Sequence, residues 1–266
     1  MALFQKKKEE YVMIPGLIGE ADDYHVYDMT KTDRIIAFLI GMAIGLVVIF
    51  VFFRSIVLSL IVGAVLGIYA QDSYREHRKK KRLQSLRIQF RDMLESLSSS
   101  YASGKNTREA FEDCYHDLKQ IYGDNADIIR ELYMIVYGLQ SNFNIEQLLR
   151  NFAQRSGIED VEDFADVFEI SLRQGANIKN IISSTRSIIN DKMEMEMEIV
   201  TLMSSGRNEL NVMMIMPLVI MLSLGGLGGE TSITINTPVN VIIKLVCLGI
   251  FGAAYLLGKK ITDFKV

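Results

Sequence analysis

The sequence predicts an all-α integral membrane protein in which four transmembrane helices, arranged as two hairpins, flank a cytoplasmic six-helix bundle. Three observations lead to this fold class. Long runs without a charged side chain lie towards both ends of the 266 residues, only three prolines occur, and the charged stretch between the runs has helical periodicity. Few prolines favour helices over a turn-rich β architecture. Two cysteines in the whole chain exclude a disulfide scaffold.

The composition divides the chain into five parts. These are a cytoplasmic N-terminal segment (1–34), a first transmembrane hairpin (35–70), a cytoplasmic helical domain (71–211), a second transmembrane hairpin (212–257) and a cytoplasmic tail (258–266). The net charge of −3 hides a strong asymmetry in the central domain. Residues 71–91 carry eight basic and two acidic groups, a sum of +6, whereas residues 92–211 carry eleven and twenty-one, a sum of −10. This polarity argues against nucleic-acid binding, which needs an exposed basic face.

Four apolar runs are predicted to cross a bilayer. They are Ile35–Phe53 with 19 residues, Ile56–Ala70 with 15, Val212–Gly229 with 18, and Val239–Leu257 with 19, interrupted only by Lys244. At about 1.5 Å per residue, the 19-residue runs reach roughly 28 Å, close to the thickness of the hydrocarbon layer. The first run is not read as a signal peptide, because 34 mostly polar residues precede it and no small-residue cleavage site follows.

Basic residues next to these runs set the expected orientation. Lys31 and Arg34 precede the first run, Lys259 and Lys260 follow the last, and the loop 230–238 contains no Lys or Arg. The second run is followed by Arg75, Arg78, Lys79, Lys80, Lys81 and Arg82. By the positive-inside rule, both termini and the central domain lie in the cytoplasm, with the protein in the cell (inner) membrane. The same six basic residues are expected to contact anionic lipid headgroups.

Small residues recur at four-residue spacing in every apolar run. The pairs are Gly41 and Gly45, Gly63 and Gly67, Gly225 and Gly229, and Gly249 and Ala253. This spacing allows membrane helices to approach closely, so we expect these residues to form helix-packing contacts. The alternative is the ordinary abundance of glycine in membrane helices.

The central domain contains six predicted helices separated by glycine stops and asparagine caps. Their apolar faces run over Leu83–Tyr101, Phe111–Ile121, Ile128–Leu139, Leu148–Phe152, Val161–Leu172 and Ile178–Ile189. Asn106 with Glu109 has the spacing of a capping box, Asn144 and Asn177 are further candidate caps, and Gly157 is a candidate stop. Met193–Glu198 alternates like a strand, but its Met and Glu pairs are also four residues apart and nothing interrupts the helix. We therefore predict a helix that continues towards the third span.

One cluster of acidic residues has two possible interpretations. Glu159, Asp160, Glu162, Asp163, Asp166 and Glu169 lie within eleven residues without an intervening basic residue. Acidic side chains near a helix N-terminus are favourable through the helix dipole, so a solvated acidic face is one interpretation. The other is a docking surface for a basic partner, or a cation site formed on assembly.

The sequence contains no recognisable catalytic motif, so we expect a non-enzymatic protein without cofactor or metal. The segment 252–260 departs from a phosphate-binding loop in glycine spacing and carries Lys260 where Ser or Thr is required. His25, His77 and His116 are scattered, and Cys114 and Cys247 lie in different predicted compartments.

A series of helical segments and breaks follows in a definite order over roughly residues 83–257: Leu86–Leu94, the break at Ser103-Gly104, Gln174–Ile178, Arg186, Ile199, Ser205–Arg207 and Met216-Pro217. This series resembles the F family of type II secretion and type IV pilus platform proteins, particularly the Tad (tight adherence, Flp pilus) inner-membrane protein. Its motifs are loose helical patterns, so their order and the arrangement of spans carry the similarity.

The resemblance implies a scaffold that couples a cytoplasmic secretion ATPase to the extraction of pilin subunits from the membrane and to pilus assembly. The implied partners are the ATPase, pilins, and a second related platform subunit or further copies of the chain. The alternative is a subunit of a small-molecule transporter or channel, although only Lys244 interrupts the spans, whereas solute paths usually leave several polar groups. A membrane-anchored signalling protein is less well supported, because no phosphoacceptor histidine context is present.

Overall fold

The computed structural model describes residues 13–19, 21–27, 29–53, 55–174, 178–226, 242, 246–254 and 257–258. Regular secondary structure within these ranges is entirely α-helical, which confirms the all-α prediction for the described part. The long helices are α1 (Lys31–Phe53), α2 (Ile56–Ala102), α3 (Thr107–Tyr122), α4 (Asp127–Gln140), α5 (Ile145–Ser156), α6 (Glu159–Gln174) and α7 (Ile178–Gly226). The predicted loop 230–238, Lys244, Gly175, Asn177 and most of the C-terminal tail lie outside the described residues.

The chain forms two compact units. The first, which we call the helical unit, comprises Met1–Tyr27 and His77–Lys192. The second, the apolar unit, comprises Asp28–Glu76 and Met193–Val266. The long helices α2 and α7 contribute residues to both units.

Two helices of the structure each combine an apolar run with a predicted helix of the central domain, which the sequence analysis assigned to different parts of the chain. The second apolar run and the first predicted helix of the central domain together form α2, because the basic stretch between them contains no glycine or proline. The sixth predicted helix likewise continues through Met193–Glu198 and Pro217 as α7, which confirms that this alternating stretch is helical. A helix ends where a breaker or cap stops it, and a change in polarity alone does not.

Local end signals in the helical unit are only partly as predicted. At α3, the Glu109 N–H donates to Asn106 Oδ1 at 3.0 Å and the Asn106 N–H donates to Glu109 Oε2 at 3.2 Å, which confirms the capping box. Asn144 occupies the N-cap of α5, but its side chain makes no capping hydrogen bond. Gly157 ends α5 with φ of 61°, a left-handed conformation that favours glycine.

The core of the helical unit is built from the predicted apolar faces. Helix α3 packs against α4, α4 against α5, and α5 against α6. The ring centroid of Phe90 lies 6.2 Å from that of Phe152 and 5.6 Å from that of Phe164. Two residues that were predicted to lie on the apolar faces are not buried, because no other described element packs over their helix positions. Ile121 is 68% exposed and Ile188 is 65% exposed.

In the apolar unit, α1 and α2 meet through glycines. A Cβ added to Gly41 would lie 3.0 Å from the Cα of Gly67, and one added to Gly45 would lie 2.9 Å from the Cα of Gly63. The two backbones therefore touch where the sequence places small residues. Gly249 differs, because an added Cβ would meet no atom of the described residues within 4 Å, and Ala253 is exposed. Gly229 and the surroundings of Gly225 lie outside the described residues.

Within the described residues, α1 and α2 are long and apolar enough to cross a membrane by length and composition. Their large apolar side chains are mostly not covered by the chain. Examples of this exposure are Ile44 (60%), Val57 (71%) and Ile68 (63%).

Candidate partner-binding surfaces

The six predicted docking residues lie on α6, but only four of them are exposed. Glu159, Glu162, Asp163 and Asp166 face outward, Glu169 is half-buried and Asp160 is 5% exposed. The exposed stretch also includes Val167 and Ile170, which are 43% and 53% exposed.

Asp160 is an internal ion-pair partner. Its carboxylate accepts a hydrogen bond from the Arg87 Nε and another, at 2.9 Å, from the Lys192 Nζ. The hydrogen bond from Lys192 to Asp160 raises the pKa of the Lys192 ammonium, which holds the ion pair charged. This geometry joins α2, α6 and α7 and removes Asp160 from the predicted docking surface.

Arg150 on α5 and Arg173 on α6 pair with part of the remaining cluster. Arg150 Nη2 lies 3.2 Å from Asp166 Oδ1 and 2.6 Å from Glu169 Oε2, and Arg173 Nη2 lies 2.6 Å from Glu169 Oε1. Glu162 and Asp163 make no ion pair within the described part of the chain. They are therefore the acidic groups with the most freedom to meet a partner.

The predicted lipid-contacting residues are not equivalent. Lys80 and Lys81 are exposed, whereas the Arg78 Nε donates to the Tyr27 hydroxyl at 3.3 Å. Arg82 donates to both carboxylate oxygens of Asp127, at 3.0 and 2.6 Å. The Asp127 hydrogen bonds are the main reason that the pKa of Arg82 is raised. Arg82 is therefore an ion-pair partner within the helical unit, and its contact with lipid headgroups stays a prediction.

A buried polar network that was not predicted from the sequence lies beneath the N-terminal segment. Arg155 on α5 is 2% exposed and Glu131 on α4 is 1% exposed, and the guanidinium donates to both carboxylate oxygens. The hydroxyl of Tyr24 donates to Glu131 Oε1 at 2.9 Å. The burial of Glu131 could have been expected, because this residue follows Ile128 by three positions on the apolar face of α4. No sequence pattern indicates that Arg155 is its partner.

Burial and charge set the protonation of this network. Burial raises the pKa of the Glu131 carboxyl, although the hydrogen bond and charge of Arg155 oppose the shift. Burial also acts to raise the pKa of Asp22, but hydrogen bonds and charges from Arg82 and Arg130 outweigh it and lower that pKa. Burial, together with the charge on Glu131, raises the pKa of the Tyr24 phenol, so Tyr24 remains a hydrogen-bond donor.

A cavity of about 520 Å³ lies between the N-terminal segment and helices α3 and α4. Its wall includes Ile18 from the segment and the rings of Tyr115, Tyr133 and Tyr137. A second hollow of about 420 Å³ shares these three tyrosines. Tyr133 and Tyr137 are stacked, with centroids 6.2 Å apart, and are 57% and 49% exposed. Exposed tyrosines beside hollows are typical of recognition surfaces.

The described residues contain no group of three or more His, Cys, Asp and Glu side chains that could hold a metal ion. Cys114 is buried in the core of the helical unit, and burial raises the pKa of its thiol to about 12. A thiol in this state is a poor nucleophile at neutral pH.

Comparison of the chain with protein-family models, curated proteins and solved structures gave no significant match.

Proposed function

We propose that the protein is a non-enzymatic platform of the cell membrane that couples a cytoplasmic secretion ATPase to pilin extraction and pilus assembly in a Tad-type machine. In this proposal the chain crosses the membrane four times, with both termini and the helical unit in the cytoplasm. The ATPase, pilins, a related platform subunit or further copies of the chain, and membrane lipids are the partners.

The observation that carries the proposal is the composition of α2. Its first fifteen residues, Ile56–Ala70, are apolar and largely exposed, whereas its last turns contribute Leu86, Phe90 and Leu94 to the core of the helical unit. A single helix therefore joins an apolar hairpin to a folded helical unit. That construction suits a membrane-anchored scaffold that receives force or binding energy from a cytoplasmic partner.

Exposed apolar surface supports the membrane part of the proposal. Soluble proteins rarely expose contiguous apolar patches of more than a few hundred Å². The outward faces of α1 and the first half of α2 carry large aliphatic residues along their length, and the glycine contacts leave those residues pointing away from the helix pair. Lipid is the environment that such faces fit.

The sequence resemblance is the reason for proposing a Tad-type machine, and the exposed acidic residues of α6 are the reason for proposing that the helical unit binds its ATPase. We propose that the exposed acidic residues Glu162, Asp163 and Asp166 bind a basic surface of the ATPase. Movement of the docked helical unit then reaches the apolar unit through α7.

Charge reversal tests the docking. The double variant Asp163→Lys/Asp166→Lys should lose most of its crosslinked co-purification with the ATPase from intact membranes, because two attractive charges become repulsive. A matched control is Glu194→Lys/Glu198→Lys, which makes the same charge change at two exposed positions of α7. Equal recovery of the ATPase with both variants would refute acidic docking.

Topology and transport are tested separately. Reporter fusions after residue 150 and within the loop 230–238 should report opposite sides of the membrane if the chain spans it four times. Solute flux through liposomes containing the purified protein would favour the transporter instead.

A further inference from the structure

The N-terminal segment, described at residues 13–19 and 21–27, lies on the helical unit without regular secondary structure. Tyr24, at 2% exposure, is its most buried described residue, and the Asp23 side chain, 4% exposed, accepts hydrogen bonds from within the segment. The Tyr24 hydroxyl reaches Glu131, and the guanidinium carbon of Arg82 lies 4.6 Å from the Tyr24 ring centroid. A single aromatic anchor in a polar-lined pocket is typical of reversible peptide recognition.

Hydrogen bonds around the anchor recognise both the backbone and one further side chain of the segment. The Tyr24 N–H donates to the Arg155 carbonyl at 3.1 Å, and the Arg155 Nη1 donates to the Asp22 carbonyl at 3.0 Å. The Asp22 carboxylate accepts from Arg82 at 2.7 Å and from Arg130 at 2.9 Å. Asp and Tyr two residues apart are therefore the side chains that these helices select.

Two glycines of the helical unit shape the ends of the groove. A Cβ added to Gly138 would lie 2.8 Å from the Ile18 Cδ1, and one added to Gly157 would lie 2.6 Å from the His25 Nε2. In addition, the Asn151 Nδ2 donates to the Pro15 carbonyl at 3.1 Å. Helices α4 and α5 thus contact described residues of the segment from Pro15 and Ile18 to His25.

We propose that this α4–α5 groove is a peptide-binding site that selects an extended segment carrying Asp and Tyr two residues apart, and that the N-terminal segment of a second copy can replace the chain's own. Helices α2, α4 and α5 carry the side chains that bind the segment, and the ligand contributes only one short stretch of chain. These side chains are Arg82 on α2, Arg130 and Glu131 on α4, and Asn151 and Arg155 on α5. Exchange of an identical element between copies needs no new contact. This inference does not depend on the proposed function.

Cleavage of the tether tests the exchange. A protease site inserted between Met29 and Thr30 lets the full chain fold in detergent before it is cut. A labelled synthetic peptide of residues 13–27, which stands for the segment of a second copy, is then added in about tenfold excess over the protein, so that it should fill about 90% of the grooves at equilibrium. Uncut protein should bind at least about tenfold less, because the tethered segment competes at an effective concentration of about millimolar.

Peptide variants and an uncut variant complete the test. The peptide with Tyr24→Ala should not bind, whereas the matched peptide with Leu17→Ala should bind within about threefold of the original, because Leu17 is 46% exposed. The intact chain with Tyr24→Ala should accept the wild-type peptide without cleavage. The proposal is overturned if the cut segment stays bound without exchange, or if cutting unfolds the helical unit as measured by circular dichroism. It is also overturned if the Tyr24→Ala peptide binds as tightly as the wild-type peptide.

Discussion

Replacement of Arg155 by methionine should destabilise the helical unit more than any surface change of equal size. The variant leaves the Glu131 carboxylate, 1% exposed, with Tyr24 as its remaining hydrogen-bond donor. Removing one partner of a buried ion pair costs about 3–5 kcal/mol, because the other charge stays buried without compensation. Replacing both members by apolar residues of similar size, Arg155→Met with Glu131→Leu, should recover at least half of that loss.

The same variant should show a pH dependence of defined sign. Burial raises the pKa of Glu131, and without Arg155 the opposing hydrogen bond and charge are gone, so that pKa rises further. The folded state then holds a proton that the unfolded state releases. The resulting stabilisation is complete below the ordinary carboxyl pKa and is lost as pH rises through the raised folded value. The deficit of Arg155→Met should therefore shrink as the pH is lowered from 8 towards 5.

Hydrogen–deuterium exchange of α4 and α5 amides in the detergent-solubilised full chain gives the local free energy of opening. Arg173→Met is the matched control, because the Arg173 side chain is 74% exposed and pairs with Glu169 at the surface. It should change stability by less than about 0.5 kcal/mol. The reasoning is refuted if Arg155→Met costs less than about 1 kcal/mol, or if the double variant is less stable than the single one.

Three further outcomes are expected. Gly41→Ala should lower the free energy of unfolding of the detergent-solubilised protein, measured by thermal denaturation, by about 1–3 kcal/mol, because the new methyl group meets backbone atoms of α2. Gly249→Ala should leave that free energy unchanged, and equal effects of the two variants would contradict the close approach of α1 and α2. In a background without the other cysteine, native Cys114 should react with a thiol reagent at least about tenfold more slowly than in denaturant, because the thiol is buried and burial raises its pKa to about 12, and similar rates would show that the thiol is accessible. Asp160→Ala should cost about 2–4 kcal/mol in a denaturant titration followed by circular dichroism, because it removes a buried carboxylate that pairs with both Arg87 and Lys192, while Asp163→Ala should cost under about 0.5 kcal/mol, and the reverse order would contradict the ion-pair geometry.

Features that depend on neighbouring residues follow directly from the sequence. The capping box of Asn106 and Glu109 needs only three residues of separation, and the left-handed stop at Gly157 needs only a glycine after an apolar period. The apolar faces that carry Phe90 and Phe152 were likewise readable from a period of three to four residues. The continuity of α2 was less apparent, because a change from apolar to basic residues looks like a boundary although it contains no helix breaker.

Electrostatic roles were the least predictable from the sequence. Glu159 and Asp160 are adjacent and chemically alike, yet one is exposed and the other is buried between Arg87 and Lys192. Their difference comes from basic residues on helices that are 73 and 32 positions away along the chain. No local pattern records such a distance.

The sequence by itself determined the helical class, the apolar runs, the charge asymmetry and most helix ends, because each depends on residues within a few turns. Only the tertiary structure decided that Tyr24 lies under Arg82 and donates to Glu131, a residue 107 positions later. It also decided which acidic side chains remain exposed on α6. Helical periodicity indicates which face of a helix is apolar, whereas the side chains that pair between helices are determined by how the helices pack. The groove and its polar network therefore exist only in the folded chain.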